Sequence, residues 1–299
     1  MSAPSQPHFI CIGSQKAGTG WVYDQFDAHA DFVMPPMKEL QFFNNRFLGE
    51  KKRERARFKL AALANHPQAG RDAEADRRFI ERVLAASPAD METVDYYRAM
   101  FAELTDKRSG DVCPAYMKLD DARIRLMAEG LPDTKVFGIV RNPVSRAWSQ
   151  ARMRDRLSAR KGTERPSATA SAAAFEEFLG LPGVSSLSLI ASYLARYKAI
   201  LGDRLKLMFF DDLANEPERF RAELCAFLEV SPDGFDVPAG FNAKANRPGT
   251  RPMPDALKAV AVDYFAEEAP ALADLLGGHA IRWAEELERE RAALRRTAL

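Results

Sequence analysis

The sequence has little cysteine: three residues in 299, widely separated and without a Cys-x-x-Cys pair. This scarcity argues against a disulfide framework or a zinc knuckle and favours a reducing compartment. The chain also lacks an apolar run long enough to cross a membrane, and its first residues lack the basic and apolar segments of a signal peptide. We therefore expect a soluble, cytoplasmic protein with no membrane span.

Charge of one sign is not in excess either. The 43 Lys and Arg residues are balanced by 42 Asp and Glu residues, which leaves a net charge of +1. This balance argues against a protein that is polycationic overall, so we expect no nucleic-acid partner, although it allows local basic patches. The sequence contains no internal repeat, and its length suits one large α/β domain that spans residues 1–299.

The clearest local pattern lies near the N-terminus, where an apolar run, a glycine-rich loop and a helical pattern follow one another. Phe9 to Ile12 predict a buried strand, the loop contains Lys16 and three glycines, and apolar residues recur at helical spacing from Trp21. Inward-turned backbone N–H groups, a helix N-terminus and a lysine favour anion binding, and an ordinary tight turn is the alternative. The loop is not a Walker A sequence, because Ala17 rather than Ser or Thr follows the lysine, so no hydroxyl is in place to hold Mg²⁺.

The order Lys-x-Gly-Thr in this loop resembles the phosphosulfate loop of sulfotransferases that use 3′-phosphoadenosine 5′-phosphosulfate (PAPS). In that family the loop holds the 5′-phosphosulfate of the donor. The resemblance implies that Lys16 is catalytic, stabilising charge on the leaving oxygen, and that no metal is required. It assigns donor binding to Lys16, Ala17, Gly18, Thr19, Gly20 and Trp21.

A carboxylate in apolar surroundings follows at Glu39-Leu40-Gln41-Phe42-Phe43. From the residues alone, Glu39 is either a surface residue at a turn or a group that transfers protons. The stretch resembles the Glu-x-x-Phe-Phe element of glycosaminoglycan-type and many bacterial sulfotransferases, although Gln41 stands where many relatives have histidine. The resemblance implies that Glu39 is the general base and that Phe42 and Phe43 lie on the acceptor side.

A second stretch is expected on the acceptor side. Pro114 and Tyr116 match the Glu-Lys-Thr-Pro-x-Tyr element of the same family, while Val112 and Cys113 replace its lysine and threonine. The resemblance implies acceptor contacts for Pro114 and Tyr116. The replaced residues cannot supply the polar contacts that relatives make, and a turn at the edge of the core is the alternative.

The strongest match follows a third apolar run. Val136 to Val140 predict a buried strand, and Asn142-Pro143 predict the start of a helix, which places Arg141 at the carboxyl end of a strand. An arginine there suits bidentate phosphate binding, with an ion pair to a nearby carboxylate as the alternative. Arg141, Asn142 and Pro143, with Ser149 eight residues after the arginine, resemble the site at which the family grips the 3′-phosphate of PAPS.

Three further stretches are rich in basic or small residues. Residues 46–59 carry seven positive and two negative side chains, which indicates a solvated helix face or a basic lip, and they open a helical cover over about 46–104. Residues 152–174, basic and then rich in Ser and Ala, predict a mobile loop. Near the C-terminus the resemblance makes Lys244, Arg247 and Arg251 candidates for nucleotide contacts, with a solvated linker as the alternative.

Four matches in the same order over most of the chain identify it as a member of the PAPS-dependent sulfotransferases, similar to the bacterial and glycosaminoglycan-type branch. The resemblance implies a three-layer α/β fold like that of P-loop nucleotide kinases, with a central parallel sheet between helices. It also implies sulfuryl transfer from PAPS to a hydroxyl or amine of a carbohydrate or small-molecule acceptor, without a metal. A P-loop-like ATP-dependent kinase and a non-catalytic module that binds polyanions are the alternatives.

Overall fold

The computed structural model describes residues 6–44, 46–65, 70–162, 166–240 and 252–297. At its centre is a parallel sheet of four strands: β1 (Phe9–Cys11), β2 (Gly110–Val112), β3 (Lys135–Val140) and β4 (Leu205–Phe209). The strand order is β2-β1-β3-β4, so β1 is an inner strand. This sheet confirms the predicted α/β fold with a central parallel sheet.

Helices occupy every connection between the strands and most of the described chain after β4. Between β1 and β2 lie α1 (Thr19–Asp27), α2 (Glu50–Asn65), α3 (Ala73–Ala85) and α4 (Asp95–Leu104), and between β2 and β3 lies α5 (Asp121–Gly130). Between β3 and β4 lie α6 (Pro143–Lys161), α7 (Ala172–Gly180), α8 (Pro182–Ser188) and α9 (Ala191–Leu201). After β4 come α10 (Phe210–Asn215), α11 (Pro217–Leu228), α12 (Asp255–Tyr264), α13 (Glu268–Leu276) and α14 (His279–Thr297).

The alternation of side chains along the strands divides the core between the two faces of the sheet. One face packs against α1 and α11 and buries Phe9, Cys11, Phe137 and Ile139. The opposite face packs against α3, α4, α5 and α9 and buries Ile10, Val136 and Val140. Because helices cover both faces, successive strand positions are apolar, and the three-layer arrangement is confirmed.

A third apolar cluster lies beyond the sheet and supports α6. It joins α6 to α7, α12 and α14 through Ala147, Ala151, Phe175, Phe178, Leu257 and Leu287. Since α6 begins directly after β3, this cluster fixes the direction in which the helix leaves the carboxyl end of the sheet.

The same cluster accounts for a correction to the predicted loop over 152–174. The structure continues α6 to Lys161 and begins α7 at Ala172, so the basic first part of this stretch is helical. The guanidinium of Arg154 lies 5.5 Å from the centre of the Phe178 ring, which ties the basic face of α6 to α7. Gly162 caps the C-terminus of the helix, and its φ of 60° is the left-handed conformation common at this position.

Among the described helices, none is long and apolar enough to cross a membrane. The described residues also contain no group of His, Cys, Asp and Glu side chains that could hold a metal ion. Cys11, Cys113 and Cys225 are free thiols, and all three are buried.

Candidate active site

The glycine-rich loop leaves the carboxyl end of β1 and leads into the N-terminus of α1, where ligands bind in open α/β sheets. Gly18 is the N-cap of α1 with a φ of 89°, and Lys16 has a φ of 71°. Left-handed conformations of this kind turn the loop back on itself, and glycine adopts them without strain. The first turn of α1 contains no acidic side chain, so its own residues do not neutralise the positive end of the helix.

Lys16 extends from this loop towards α6. Its Nζ donates a hydrogen bond to Met153 Sδ at 3.6 Å, and a thioether is a weak acceptor. Burial lowers the pKa of Lys16, and the positive charges of Arg156, Arg141 and Arg146 lower it further. The ammonium therefore lies in a field of like charge and keeps donors free for a negatively charged ligand.

Arg141 follows β3 directly and ties the loop to this strand. Its Nη1 donates to the backbone oxygen of Lys16 at 2.7 Å, and its guanidinium lies 4.2 Å from the centre of the Phe210 ring. Burial lowers the pKa of Arg141 to about 10, and the charge of Asp211 opposes this change in part. Within the described chain Nε of Arg141 is buried without a hydrogen-bond partner, so the side chain retains a donor for a ligand.

Arg146 is a second buried arginine beside Arg141, and the sequence analysis missed it. Its side chain is 1% exposed and donates to Gln150 Oε1 at 2.8 Å and to Ser188 Oγ. Burial, followed by the positive charge of Arg141, lowers its pKa to about 10. A buried guanidinium whose described partners are neutral is costly, and an anion bound nearby would offset that cost. Its position in the first turns of a helix that begins at Pro143 is the signal that could have pointed to it.

The remaining residues assigned to the donor occupy different environments. Ser149 is half-buried on α6, two turns into the helix that carries Arg146, and Thr19 is half-buried at the first position of α1. Gly20 is exposed, and a Cβ added to it would meet no atom within 4 Å. Ala17 is fully buried. The predictions for Lys244, Arg247 and Arg251 fall outside the described residues.

Trp21, which is also assigned to the donor, is packed into the protein interior. Its side chain is buried, its ring packs edge-on against Phe220, and its Nε1 donates to the backbone oxygen of Ala239 at 3.1 Å. The indole thus satisfies its polar atom inside the protein, and it anchors α1 to the backbone at Ala239.

Asp211 and Asp212, which follow β4, bind side chains of α14 close to the arginine site. Trp283 Nε1 donates to Asp211 Oδ1 at 3.3 Å, and the His279 ring contacts Asp212 Oδ1 at 2.8 Å through Nε2. The ring of Phe209 packs against both His279 and Trp283. These contacts fasten α14 to the end of β4, next to Arg141.

Glu39 lies in a tight turn between α1 and α2 and is half-buried. Glu39 and Gln41 both have left-handed backbones, with φ values of 56° and 62°. Lys52, in the first turn of α2, donates from Nζ to the backbone oxygens of Glu39 at 2.7 Å and of Lys38 at 3.3 Å. The side chain of Lys52 is thus an internal link to the turn.

Asp111 of β2 holds the other side of this turn. Its Oδ1 accepts from the backbone N–H of Leu40 at 3.5 Å, and its Oδ2 accepts from the phenols of Tyr97 and Tyr116, both at 3.0 Å. Burial raises the pKa of Asp111 to about 6, while the two phenols, the charge of Lys52 and the Leu40 N–H act in the opposite direction.

The side chains expected on the acceptor side are less open than the resemblance implies. Phe42, Phe43, Pro114 and Tyr116 are all buried. Tyr116 OH accepts from the backbone N–H of Phe42 at 2.9 Å and donates to the carboxylate of β2, so its polar atom serves the protein interior. These residues form the packed floor beneath the Glu39 turn.

The two predicted motifs at the ends of β1 and β2 lie against each other. A Cβ added to Gly13 would lie 3.1 Å from the backbone oxygen of Pro114, and the φ of Gly13 is 129°. Only a glycine allows the loop to approach Pro114 this closely. The structure therefore brings the glycine-rich loop, Arg141, Arg146 and the Pro114 stretch together at the carboxyl edge of the sheet.

The basic run over residues 46–59 is only in part the solvated face or lip that the sequence predicts. Lys52 is buried, and Arg53 donates from Nη1 to the backbone oxygen of Leu84 at 3.0 Å and from Nη2 to that of Ala86 at 2.8 Å. Long basic side chains can bury their aliphatic stems while their charged ends bind carbonyl oxygens. Two of the seven cations thus link α2 to its neighbours.

Comparison with known proteins gives a consistent result. A family model described as the sulfotransferase family matches residues 7–234. A sulfotransferase from Alicyclobacillus acidocaldarius has a similar structure, with 22% sequence identity, a TM-score of 0.63, and coverage of 93% of this chain and 98% of that chain. The sulfotransferase domain of the Synechococcus PCC 7002 olefin synthase is also similar, with 17% identity, a TM-score of 0.50, and coverage of 96% of each chain. No curated protein matches the chain.

Proposed function

This chain belongs to the sulfotransferase family, and we propose that it transfers a sulfuryl group from PAPS to a hydroxyl or amine of a carbohydrate or small-molecule acceptor. The supporting observation is the convergence of Lys16, Arg141 and Arg146 near a helix N-terminus, with neutral groups as their hydrogen-bond partners within the described chain. Such a set of charges fits a donor that carries a 5′-phosphosulfate and a 3′-phosphate.

The loop residues have distinct roles in this proposal. When bound, PAPS supplies an activated sulfuryl group on a phosphate leaving group. Lys16 stabilises the negative charge that develops on the bridging oxygen, and the backbone N–H groups of Gly18, Thr19 and Gly20 hold the 5′-phosphate, with help from the Thr19 hydroxyl. Because a sulfuryl group carries less negative charge than a phosphoryl group, N–H groups and one lysine can replace the Mg²⁺ of phosphoryl transfer.

The 3′-phosphate is assigned to the start of α6. Nε of Arg141 is buried without a hydrogen-bond partner in the described chain, and the half-buried Ser149 lies two turns into α6. Lys244, Arg247 and Arg251 remain candidates for further contacts to the nucleotide.

Glu39 is proposed as the general base. The attacking oxygen or nitrogen of the acceptor forms a bond to sulfur while the bond from sulfur to the phosphate oxygen breaks, and Glu39 accepts the acceptor's proton. The products are the sulfated acceptor and adenosine 3′,5′-bisphosphate. A half-buried carboxylate in a fixed turn suits this role, because its position is defined and it stays accessible.

The two alternatives have less support. An ATP-dependent kinase needs a hydroxyl next to the loop lysine for Mg²⁺, and Ala17 occupies that position. A non-catalytic polyanion-binding module would use the basic runs over residues 46–59 and 152–165, but Lys52 and Arg53 of the first run donate to internal carbonyl groups.

The experiment is incubation of the protein with ³⁵S-labelled PAPS and a panel that contains p-nitrophenol, a primary alcohol, glucosamine and an unsulfated glycosaminoglycan oligosaccharide. We expect label transfer to at least one acceptor, with a matching sulfuryl mass increase and no requirement for Mg²⁺. Lys16→Ala should lower turnover by ~10²–10³, while the exposed Lys51→Ala should not. Glu39→Gln should lower turnover by ~10²–10⁴ and leave binding of adenosine 3′,5′-bisphosphate unchanged. Mg²⁺-dependent ATP consumption without label transfer would support the kinase instead.

A further inference from the structure

The turn that carries Glu39 has a backbone that its sequence does not favour. Two residues out of three, Glu39 and Gln41, are in the left-handed region although neither is glycine. This conformation costs roughly 1–2 kcal/mol for each such residue and persists only where surrounding contacts hold it. The contacts that hold the turn in this conformation therefore indicate that the conformation has a function.

Three buried side chains from three different elements hold the turn through its backbone. Lys52 of α2 binds the oxygen of Glu39, Asp111 of β2 binds the N–H of Leu40, and Tyr116 of the 3₁₀ helix Pro114–Lys118 binds the N–H of Phe42. All three side chains are at most 6% exposed. Tyr116 also donates to Asp111, so two of the three contacts belong to one network.

We propose that Lys52, Asp111 and Tyr116, the turn clamp, are positioning residues that aim the Glu39 carboxylate at the acceptor. This inference rests on the proposed role of Glu39 as the general base. The hydrogen bonds from the clamp to the turn end on backbone atoms, so they leave the Glu39 side chain free to accept a proton. Catalysis depends on geometry within about 1 Å, and fixing a strained turn at Glu39, Leu40 and Phe42 supplies that precision.

The clamp contains charged side chains, and further titratable groups lie around it. Burial lowers the pKa of Lys52, and the charges of Asp111 and Glu39 oppose this change in part. Tyr97, Cys11 and Cys113 also face Asp111, and burial keeps all three of these groups protonated by raising their pKa values. The clamp thus contains one positive and one negative group, and the Glu39 carboxylate is the second negative group in its field.

Two tyrosines in similar surroundings allow a test in which only one substitution should affect the turn. Tyr97 and Tyr116 are both buried, and each donates to Asp111 Oδ2 at 3.0 Å, but only Tyr116 reaches the backbone of the turn. Tyr116→Phe and Tyr97→Phe should therefore both lower thermal stability, and Tyr116→Phe should lower it more because it also leaves the buried N–H of Phe42 without its acceptor. Tyr116→Phe alone should lower kcat by ~10-fold or more, with the KM for PAPS and the affinity for adenosine 3′,5′-bisphosphate unchanged. It alone should also speed hydrogen exchange in the peptide that covers residues 37–44.

A second matched pair tests the other side of the turn. Lys52→Met removes the ammonium that binds Glu39 O and Lys38 O, and Lys51→Met changes its exposed neighbour on the same helix. Lys52→Met should lower kcat and speed exchange over residues 37–44, whereas Lys51→Met should do neither. Both assays use PAPS and the panel acceptor with the highest turnover.

The outcomes separate the clamp from the proposed base. Loss of turnover in Glu39→Gln together with retained kcat in Tyr116→Phe and Lys52→Met would overturn the clamp and leave the base in place. Retained turnover in Glu39→Gln would overturn the base itself. Equal losses of kcat in Tyr97→Phe and Tyr116→Phe would mean that the network acts through general stability, which also contradicts the clamp.

Discussion

Ser149 and Arg141 are assigned to the same phosphate, but the structure predicts different consequences for their removal. Arg141 also binds the backbone oxygen of Lys16, so Arg141→Ala should disturb the loop and weaken both adenosine 3′,5′-bisphosphate and adenosine 5′-phosphate. Ser149→Ala should weaken only the bisphosphate, by ~10-fold, as expected for one hydrogen bond to a charged group. Calorimetry with both ligands measures the difference, and Ser145→Ala, exposed on the same helix, is the control. Equal losses of both ligands in Ser149→Ala would contradict its assignment.

Asp111 should make the stability of the protein depend on pH in a predictable direction. Its pKa is about 6 in the folded protein, above the usual value of 3.8, so the folded state holds the proton more tightly than the unfolded state. This contribution to the free energy of unfolding is complete below about pH 4 and is lost as the pH rises through 6, and two pKa units correspond to about 3 kcal/mol. Asp111→Asn removes it, so the variant should gain stability relative to the parent between pH 4 and 7. Denaturant unfolding across this range measures the gain, and parallel curves would contradict it.

At the scale of residues, the sequence could predict where a functional residue lies along the chain. It was less able to predict how buried that residue is and what it contacts. The loop lysine and the arginine after β3 are recognisable because each follows an apolar run of strand length. The burial of Lys52 within a run of seven cations has no local signal, because its partners, Glu39 and Asp111, come from other parts of the chain. For the same reason, Tyr116 was assigned to the acceptor although its hydroxyl is committed to the protein interior.

Among the elements, α6 is the one on which the donor site depends most. Asn142 caps it by accepting from the backbone N–H of Ser145 at 3.1 Å, and Asp120 caps α5 in the same way through Arg123 at 2.8 Å. Asn142→Ala and Asp120→Ala should each lower stability by about 1 kcal/mol. Only Asn142→Ala should weaken adenosine 3′,5′-bisphosphate, because it loosens the start of the helix that carries Arg146. Paired unfolding and calorimetry experiments separate the effects, and an equal loss of affinity in both variants would contradict this role of α6.

Strands and helices could be predicted where the spacing of apolar residues was enough to identify them. The core of β3 matches its apolar run from Val136 to Val140, and β1 matches its run from Phe9 to Ile12 within one residue. The loop predicted after Arg152 was wrong over its first ten residues, because charged residues do not stop a helix that is supported by packing against α7. The left-handed turn at Glu39 was also beyond prediction, since its stability comes from tertiary contacts.

At the scale of the whole molecule, the three cysteines report on the integrity of the fold. They lie in β1, before the 3₁₀ helix at Pro114, and in α11, and burial raises the pKa of Cys11 to about 12 and that of Cys225 to about 11. We expect a thiol reagent such as 5,5′-dithiobis(2-nitrobenzoate) to react slowly with the native protein and to titrate three thiols in denaturant. Rapid labelling of the native protein would show that one of the sheet faces is open.

The inner position of β1 affects how the chain is made. β1 leaves the ribosome before its neighbours β2 and β3, which begin only at Gly110 and Lys135. At translation rates of about 5–20 residues per second, roughly 6 to 25 s pass before both neighbours exist. During this interval an apolar strand lacks both of its partners, which makes the nascent chain a client for chaperones and prone to aggregation. A fragment released before β3 has emerged cannot complete the sheet around β1.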